Sequence, residues 1–158
     1  MAVRGATVGV QSLEVSYGGT KVLKGIDLDI AAGEFVALIG SSGCGKTTLL
    51  RAISGFVAPG RGRITLNDAD ITALPPERRG MAMVFQSYAL WPHMSVAQNI
   101  GYGLRMRRWA KDAIGKRVDE MLSLLQLDGY GPRPLTTLSG GQRQRVALGR
   151  ALAVSPSL

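Results

Sequence analysis

The sequence predicts an α/β fold, and three adjoining observations predict it. The apolar run Phe35-Val36-Ala37-Leu38-Ile39 reads as a fully buried strand, it leads straight into the glycine-rich stretch Gly40-Ser41-Ser42-Gly43-Cys44-Gly45-Lys46-Thr47, and a helical pattern follows from Lys46 to Ser54. The middle stretch fits G-x-x-x-x-G-K-[ST], and a strand, a loop and a helix in that order are the setting in which this pattern wraps a nucleotide's phosphates.

The residue types explain why. A triphosphate is a cluster of negative charge, best held by backbone N–H groups converging from a loop whose glycines, Gly43 and Gly45, allow close approach. Lys46 adds a cation near the β and γ phosphates, Thr47 a hydroxyl ligand for Mg²⁺, Thr48 a weaker phosphate contact, and the helix the positive end of its dipole. The competing reading is a glycine-rich turn that happens to carry a lysine.

Taken in order, residues 8–17 and 22–30 alternate between apolar and polar around Gly18-Gly19 and read as a β-hairpin. Tyr17 at its tip is placed either to stack on a base or to pack on its strand neighbours. Leu49, Leu50 and Ile53 form the apolar face of the helix after the loop, and Gly55 stops it. Arg63-Ile64-Thr65-Leu66 is a short strand before the turn Asn67-Asp68, Pro75-Pro76 bars a helix until Glu77, and residues 80–85 are a further strand candidate ending at Gln86. A polar residue at the tip of a buried strand is where α/β proteins place ligand contacts, although a glutamine can also simply end a strand.

From Ser95 the period becomes helical. Ser95 and Gln98 form a capping box, and Val118, Met121, Leu122 and Leu125 make one apolar stripe with Lys116, Arg117 and Asp119 off it. His93 has no metal-ligand companions and reads as structural or interfacial. A last helix opens at Leu138-Ser139-Gly140-Gly141-Gln142 and runs to about Val154, before Pro156. Glycines in a first helical turn cost about 1 kcal/mol each relative to alanine, which points to a backbone that must be approached closely. With Ser139 as N-cap this helix start is a second anion site, the alternative being an ordinary Ser139/Gln142 capping box with no ligand.

Composition sets the frame. A chain of 158 residues, 46% hydrophobic and 19% charged, is long enough for one domain with a real core and too apolar for disorder. No apolar run approaches a membrane span, and residues 1–10 lack the apolar core of a signal peptide, so the chain is expected in the cytosol. A single cysteine, Cys44, fits a reducing compartment; it reads as a small loop residue open to alkylation. The net charge of +8 comes from scattered cations. The small groups Arg105-Met106-Arg107-Arg108 and Arg143-Gln144-Arg145 read as solvated helix faces, so no nucleic-acid partner is expected.

Residues 40–47, Gln86 and Leu138-Ser139-Gly140-Gly141-Gln142, in that order, resemble the phosphate loop, Q-loop and signature motif of the ATP-binding-cassette (ABC) ATPases, and the likeness covers essentially the whole chain. It implies a P-loop NTPase core with an antiparallel β subdomain and an inserted helical subdomain, truncated before the Walker B strand. The implied parts are 1–86 for the β subdomain and first part of the core, 87–145 for the helical subdomain with the signature, and 146–158 for a helix returning to the core. It implies ATP and Mg²⁺ as cofactors, Tyr17 as the adenine-stacking aromatic, and Gln86 as the catalytic residue touching Mg²⁺ and the attacking water. In that family two domains meet head to tail, so that Ser139, Gly141 and Gln142, with Gly140 in the same turn, would face the γ-phosphate held by the partner.

Leu74-Pro75-Pro76-Glu77-Arg78-Arg79, Met83-Val84-Phe85-Gln86 and the stretch from Tyr88 to Val96 are similar to bacterial importers of the polyamine, ferric-iron, phosphonate and sugar group. The partners implied are transmembrane permease subunits and a second ATP-binding subunit, at the cytoplasmic face of the cell membrane. Tyr88, Leu90 and Trp91 would dock a helix of the permease, unless they pack on the helices after Ser95. Family members continue beyond Leu158 into a strand ending Asp-Glu, a D-loop and a switch histidine; without those carboxylates this polypeptide alone is expected to bind ATP and hydrolyse it negligibly, and to leave an apolar sheet edge unpaired and prone to association. The rival readings are an ABC-type ATPase acting on nucleic acid and a non-catalytic nucleotide-binding remnant.

Overall fold

A computed structural model describes residues 5–158. The reading of residues 1–10 as lacking a signal-peptide core falls in part on 1–4, outside the described residues. By packing, the chain divides into two compact units, residues 1–81 with 157–158, and residues 82–156. The expected three-part division at 86/87 and 145/146 differs from this, because the final helix contributes its buried face to the same core as the helices before it.

The first unit is built on the predicted hairpin. Strands β1 (Val8–Tyr17) and β2 (Thr20–Ile30) pair antiparallel. With β3 (Arg61–Leu66) and the short β4 (Ala69–Asp70) they form a four-stranded antiparallel sheet in the order β2-β1-β3-β4. Alternation buries Val8 with Val10 and Leu13 with Val15, and the register irregularity between Val10 and Leu13, where Ser12 takes φ +46°, brings both pairs to one face. They meet α1 (Lys46–Ile53) through Leu49, Ala52 and Ile53. Leu50, expected on the same face, is exposed instead, and Ala52 takes its place; an eight-residue helix on a narrow contact buries only part of its apolar set.

Two strand expectations fail. Residues 35–39 and 80–85 join no ladder among the described residues, and Phe35 and Ile39 are almost fully exposed at 94% and 93%. A buried parallel strand needs a hydrogen-bonding neighbour at each edge and cover on both faces. The described sheet supplies neither to 35–39.

The hidden fastener of the first unit is Arg79, 3% exposed. Its Nη1 donates to the carbonyls of Ala52 (2.8 Å) and Ile53 (2.7 Å), its Nε to Leu74 (2.8 Å) and its Nη2 to Thr72 (2.9 Å). One guanidinium thus joins the Gly55 N–H on the Ala52 carbonyl, takes up that of Ile53, and ties the end of α1 to the 72–74 loop. Burial lowers its pKa from the ordinary arginine value, without making it neutral. Gly55 makes room: its φ is +83°, and a Cβ there would lie 2.6 Å from Arg79 Nε.

The second unit is helical. It holds α2 (Val96–Ile100), α3 (Tyr102–Met106), α4 (Lys111–Leu124) and α5 (Gly140–Ala153). The Ser95/Gln98 capping box forms as predicted. The stripe Val118, Met121, Leu122 and Leu125 is buried against Ile100, Leu104 and Val146. At the far end of α5, Arg117 donates to the carbonyls of Ala153 (3.1 Å) and Leu152 (3.1 Å), and Arg107 to that of Val154 (2.9 Å).

Replacing Arg79 by Met should leave buried carbonyls unpaired and destabilise the first unit by about 2–4 kcal/mol. The urea midpoint should fall accordingly, and Arg79→Lys should recover less than half the loss, since an ammonium cannot span carbonyls from two segments as a planar fork does. An unchanged midpoint in Arg79→Met would remove the fastening role.

Candidate nucleotide site

The phosphate-loop pattern becomes geometry at the start of α1. Gly43 and Gly45 both take positive φ, +81° and +99°, and Gly45 serves as the N-cap. A Cβ at Gly45 would come within 2.8 Å of Leu23 Cδ2, so the loop is pinned against β2. Glycine cannot cap with a side chain. The first turn of α1 therefore carries no side-chain cap bond and no acidic residue, and its leading N–H groups face outward without a protein acceptor from a capping side chain.

Lys46 is folded back on the loop. Its ammonium donates to the carbonyls of Gly40 (2.9 Å) and Ser41 (2.7 Å) and approaches Cys44 Sγ at 3.4 Å. These are neutral acceptors, weaker partners for a cation than phosphate oxygens, and the unbranched stem can redirect the charge. Ser41, Ser42, Cys44 and Thr47 are exposed and Thr48 is half-buried. Next to the loop lie two recesses, one of about 480 Å³ between Gly43, Cys44 and β2 (Thr20, Lys21, Val22), the other of about 350 Å³ between Cys44, Lys46 and residues 37–39.

Tyr17 is 46% exposed at the end of β1 and pairs with Thr20, which lines the larger recess. Its ring is thus partly open to solvent, and both stacking on a base and packing on its strand neighbours stay open. Among the described residues no cluster of His, Cys, Asp or Glu could hold a metal by itself. The Thr47 hydroxyl, exposed in the first turn of α1, suits an ion held jointly with a nucleotide's phosphates.

The remaining motif residues belong to the second unit. Gln86 is exposed in a turn closed by Tyr88 N–H to Phe85 C=O at 2.8 Å, and its expected place at the tip of a ladder-forming strand is not found. Ser139 caps α5: its Oγ accepts from Gln142 N–H at 3.3 Å, while Gln142 Oε1 accepts from Ser139 N–H at 2.8 Å. Gln142 Nε2 also donates to Tyr130 Oη at 3.1 Å. The capping box is therefore present, but it does not explain the glycines. A Cβ on Gly140 or Gly141 would meet nothing within 4 Å, so no internal contact demands a bare backbone there.

Beyond Gln86 the expected trio splits. Leu90 packs partly into the helical core, and the Trp91 ring lies 4.0 Å from that of Tyr102, as the packing alternative holds. Tyr88 and Leu90 nevertheless also line a groove of about 240 Å³ with Ser87, Leu135 and Arg143. Asn99, which sequence reasoning missed, is fully buried: its Oδ1 accepts from Trp91 N–H (2.9 Å), and its Nδ2 donates to the carbonyls of Trp91 (3.2 Å), Met94 (3.2 Å) and Ser95 (3.0 Å). An asparagine inside an apolar helical pattern was the only available signal.

Comparison with known proteins agrees with this arrangement. The ABC transporter family matches residues 23–158. The chain is 51% identical over 147 residues to the putative 2-aminoethylphosphonate import ATP-binding protein PhnT of Salmonella typhimurium, covering 93% of this chain and 40% of the relative. It is 49% identical over 149 residues to the spermidine/putrescine import ATP-binding protein PotA of Marinobacter nauticus, again covering 40% of that protein. The solved structure of cbiO1 from Clostridium perfringens, described as part of the ABC transporter complex cbiONQ, superimposes with a TM-score of 0.84 at 33% identity, over 94% of this chain and 62% of that one. The chain thus spans about two fifths of the length of the curated relatives it matches. Loop, capped signature turn, fold and sequence together establish that the chain belongs to the ABC transporter family, as an ATP-binding domain of that family.

Proposed function

We propose that this chain supplies the nucleotide-binding half of an importer's ATPase subunit, holding ATP with Mg²⁺ on residues 40–48. The observation that carries this reading is the start of α1, where a glycine N-cap leaves the leading N–H groups without a side-chain acceptor and a lysine ammonium rests on the neighbouring loop carbonyls of Gly40 and Ser41. Such an opening favours a dense anion over any neutral ligand.

In this reading Lys46 leaves the carbonyls of Gly40 and Ser41 for the β and γ phosphates, Thr47 offers its hydroxyl to Mg²⁺, and Tyr17 stacks on the adenine. Mg²⁺, when bound, neutralises part of the phosphate charge. Gln86 reaches toward the ion and the attacking water. A second copy or a related subunit, arranged head to tail, presents Ser139, Gly140, Gly141 and Gln142 to the γ-phosphate. The groove beside Tyr88 and Leu90 receives a helix of a transmembrane permease, which places the chain peripherally at the cytoplasmic face of the membrane. Hydrolysis coupled to import belongs to the whole protein; the solute is selected by other subunits. Nothing in the pattern of basic residues calls for nucleic acid.

Two variants test the two halves. A fluorescent ATP analogue should bind the chain in the presence of Mg²⁺, and Lys46→Ala should weaken it by about tenfold or more, the loss of a charge-assisted bond of roughly 1.5–3 kcal/mol. Equal affinity in the variant would overturn the phosphate-loop assignment. Gly141→Ala should act in opposite directions: helix propensity should raise thermal stability by about 0.5–1 kcal/mol, while ATP-dependent association, read by light scattering, weakens. A variant that is more stable and associates as before would remove the signature turn from the site.

A further inference from the structure

One half-buried cation on α5 has no place in the site just described. The Arg150 guanidinium donates from Nη1 to the carbonyl of Ala89 at 2.6 Å and from Nη2 to that of Tyr88 at 3.0 Å, and it lies 4.7 Å over the Trp91 ring. Among the described residues it makes no ion pair. Its partners are backbone dipoles and a π-face, and burial lowers its pKa from the ordinary arginine value.

The carbonyls it gathers belong to consecutive residues with left-handed backbone, Tyr88 at φ +63° and Ala89 at φ +46°. Side chains other than glycine hold such conformations only where their surroundings impose them. Trp91 is sandwiched in turn, with Tyr102 at 4.0 Å and Asn99 holding its backbone N–H and C=O. The segment 88–91 is therefore fixed from α5 on one side and from α2 and α3 on the other. It is also the segment that contributes Tyr88 and Leu90 to the groove of about 240 Å³, whose lining also includes Arg143 of α5.

We propose that Arg150 is a positioning residue that locks the 88–91 wall of this groove to α5, so that the glycine-bearing start of that helix and the partner-facing groove move as one body. The role of that groove rests on the reading under Proposed function. A planar fork is required: lysine could keep the charge, but could not reach both carbonyls while lying over the indole.

The chain has only two tryptophans, Trp91 and Trp109, which allows a direct test. In a Trp109→Phe background, acrylamide quenching reports on Trp91 alone; in Trp91→Phe it reports on Trp109, already 44% exposed. Arg150→Met should raise the Trp91 quenching constant about two- to threefold, as expected when a local segment opens, and shift its emission to the red. Arg150→Lys should give a clear part of that increase, and it decides the matter if the Met variant does not fold. Trp109 quenching and binding of the fluorescent ATP analogue should stay unchanged in both. Unchanged Trp91 quenching overturns the proposal, as does full protection by lysine, and so does a parallel rise at Trp109, which would mean that Arg150 merely holds the helical unit together. Failure of the parent chain to bind the analogue would instead strike the nucleotide reading and leave the Trp91 result standing.

Discussion

Everything proposed for the nucleotide site depends on how the two ends of α1 are satisfied. The left-handed Gly45, pressed on Leu23, opens the helix without a capping side chain, while Arg79 closes it by taking up the carbonyls of Ala52 and Ile53. An eight-residue helix is about 12 Å long at 1.5 Å per residue. That is close to a Debye length at physiological salt, roughly 8 Å, and the path between the ends runs through protein rather than water. A buried cation at the carbonyl end therefore offsets the negative pole and leaves the positive pole at the loop less opposed. α5 repeats the device, with Arg117 and Arg107 on the carbonyls of residues 152–154 and glycines at its start.

The same contrast between local and distant partners decides what the amino-acid sequence reveals. Features set by neighbours in sequence were legible: the hairpin, the two serine-glutamine capping boxes, the stripe of α4 and the loop motif itself. Their causes lie within a few residues, where helical and strand periods and cap chemistry act. Arg79, Arg117 and Arg150 were not legible, because each serves carbonyls distant in sequence: Ala52 for Arg79, Ala153 for Arg117, Ala89 for Arg150. A carbonyl acceptor has no residue type, so no pattern marks it.

The misread strands fail for the same reason in reverse. Residues 35–39 have the composition of a buried strand, but composition states a preference for burial and cannot provide the neighbour that a ladder requires. Leu50 shows the limit on a helix, where the period defines the apolar face and the packing partner decides how much of it is covered. In the loop after Gln86, Leu90 and Trp91 are apolar enough to face a partner or a core, and only the nearness of Tyr102 and Arg150 shows that the indole serves the unit's own packing.

The two glycine-rich helix starts differ in one respect that bears on how an anion would meet them. At α1 no side chain caps the opening and Lys46 is held only by neutral acceptors, so phosphates would displace its carbonyl contacts. At α5 the opening is already capped, and a capping bond is worth only about 1 kcal/mol against roughly 1.5–3 for a bond to a charged acceptor. Even that competition is avoidable. Ser139 uses an oxygen lone pair to accept from Gln142 N–H, and a hydroxyl that accepts one bond still has its proton to donate. The cap can hold the turn in shape while the Ser139 O–H stays free to donate to an incoming phosphate, and Gly140 and Gly141 add no side chain that would crowd it. On the proposed reading, the capping box and the anion site would be one structure, the cap supplying the preorganisation by which a bare helix start recognises a phosphate without first having to fold.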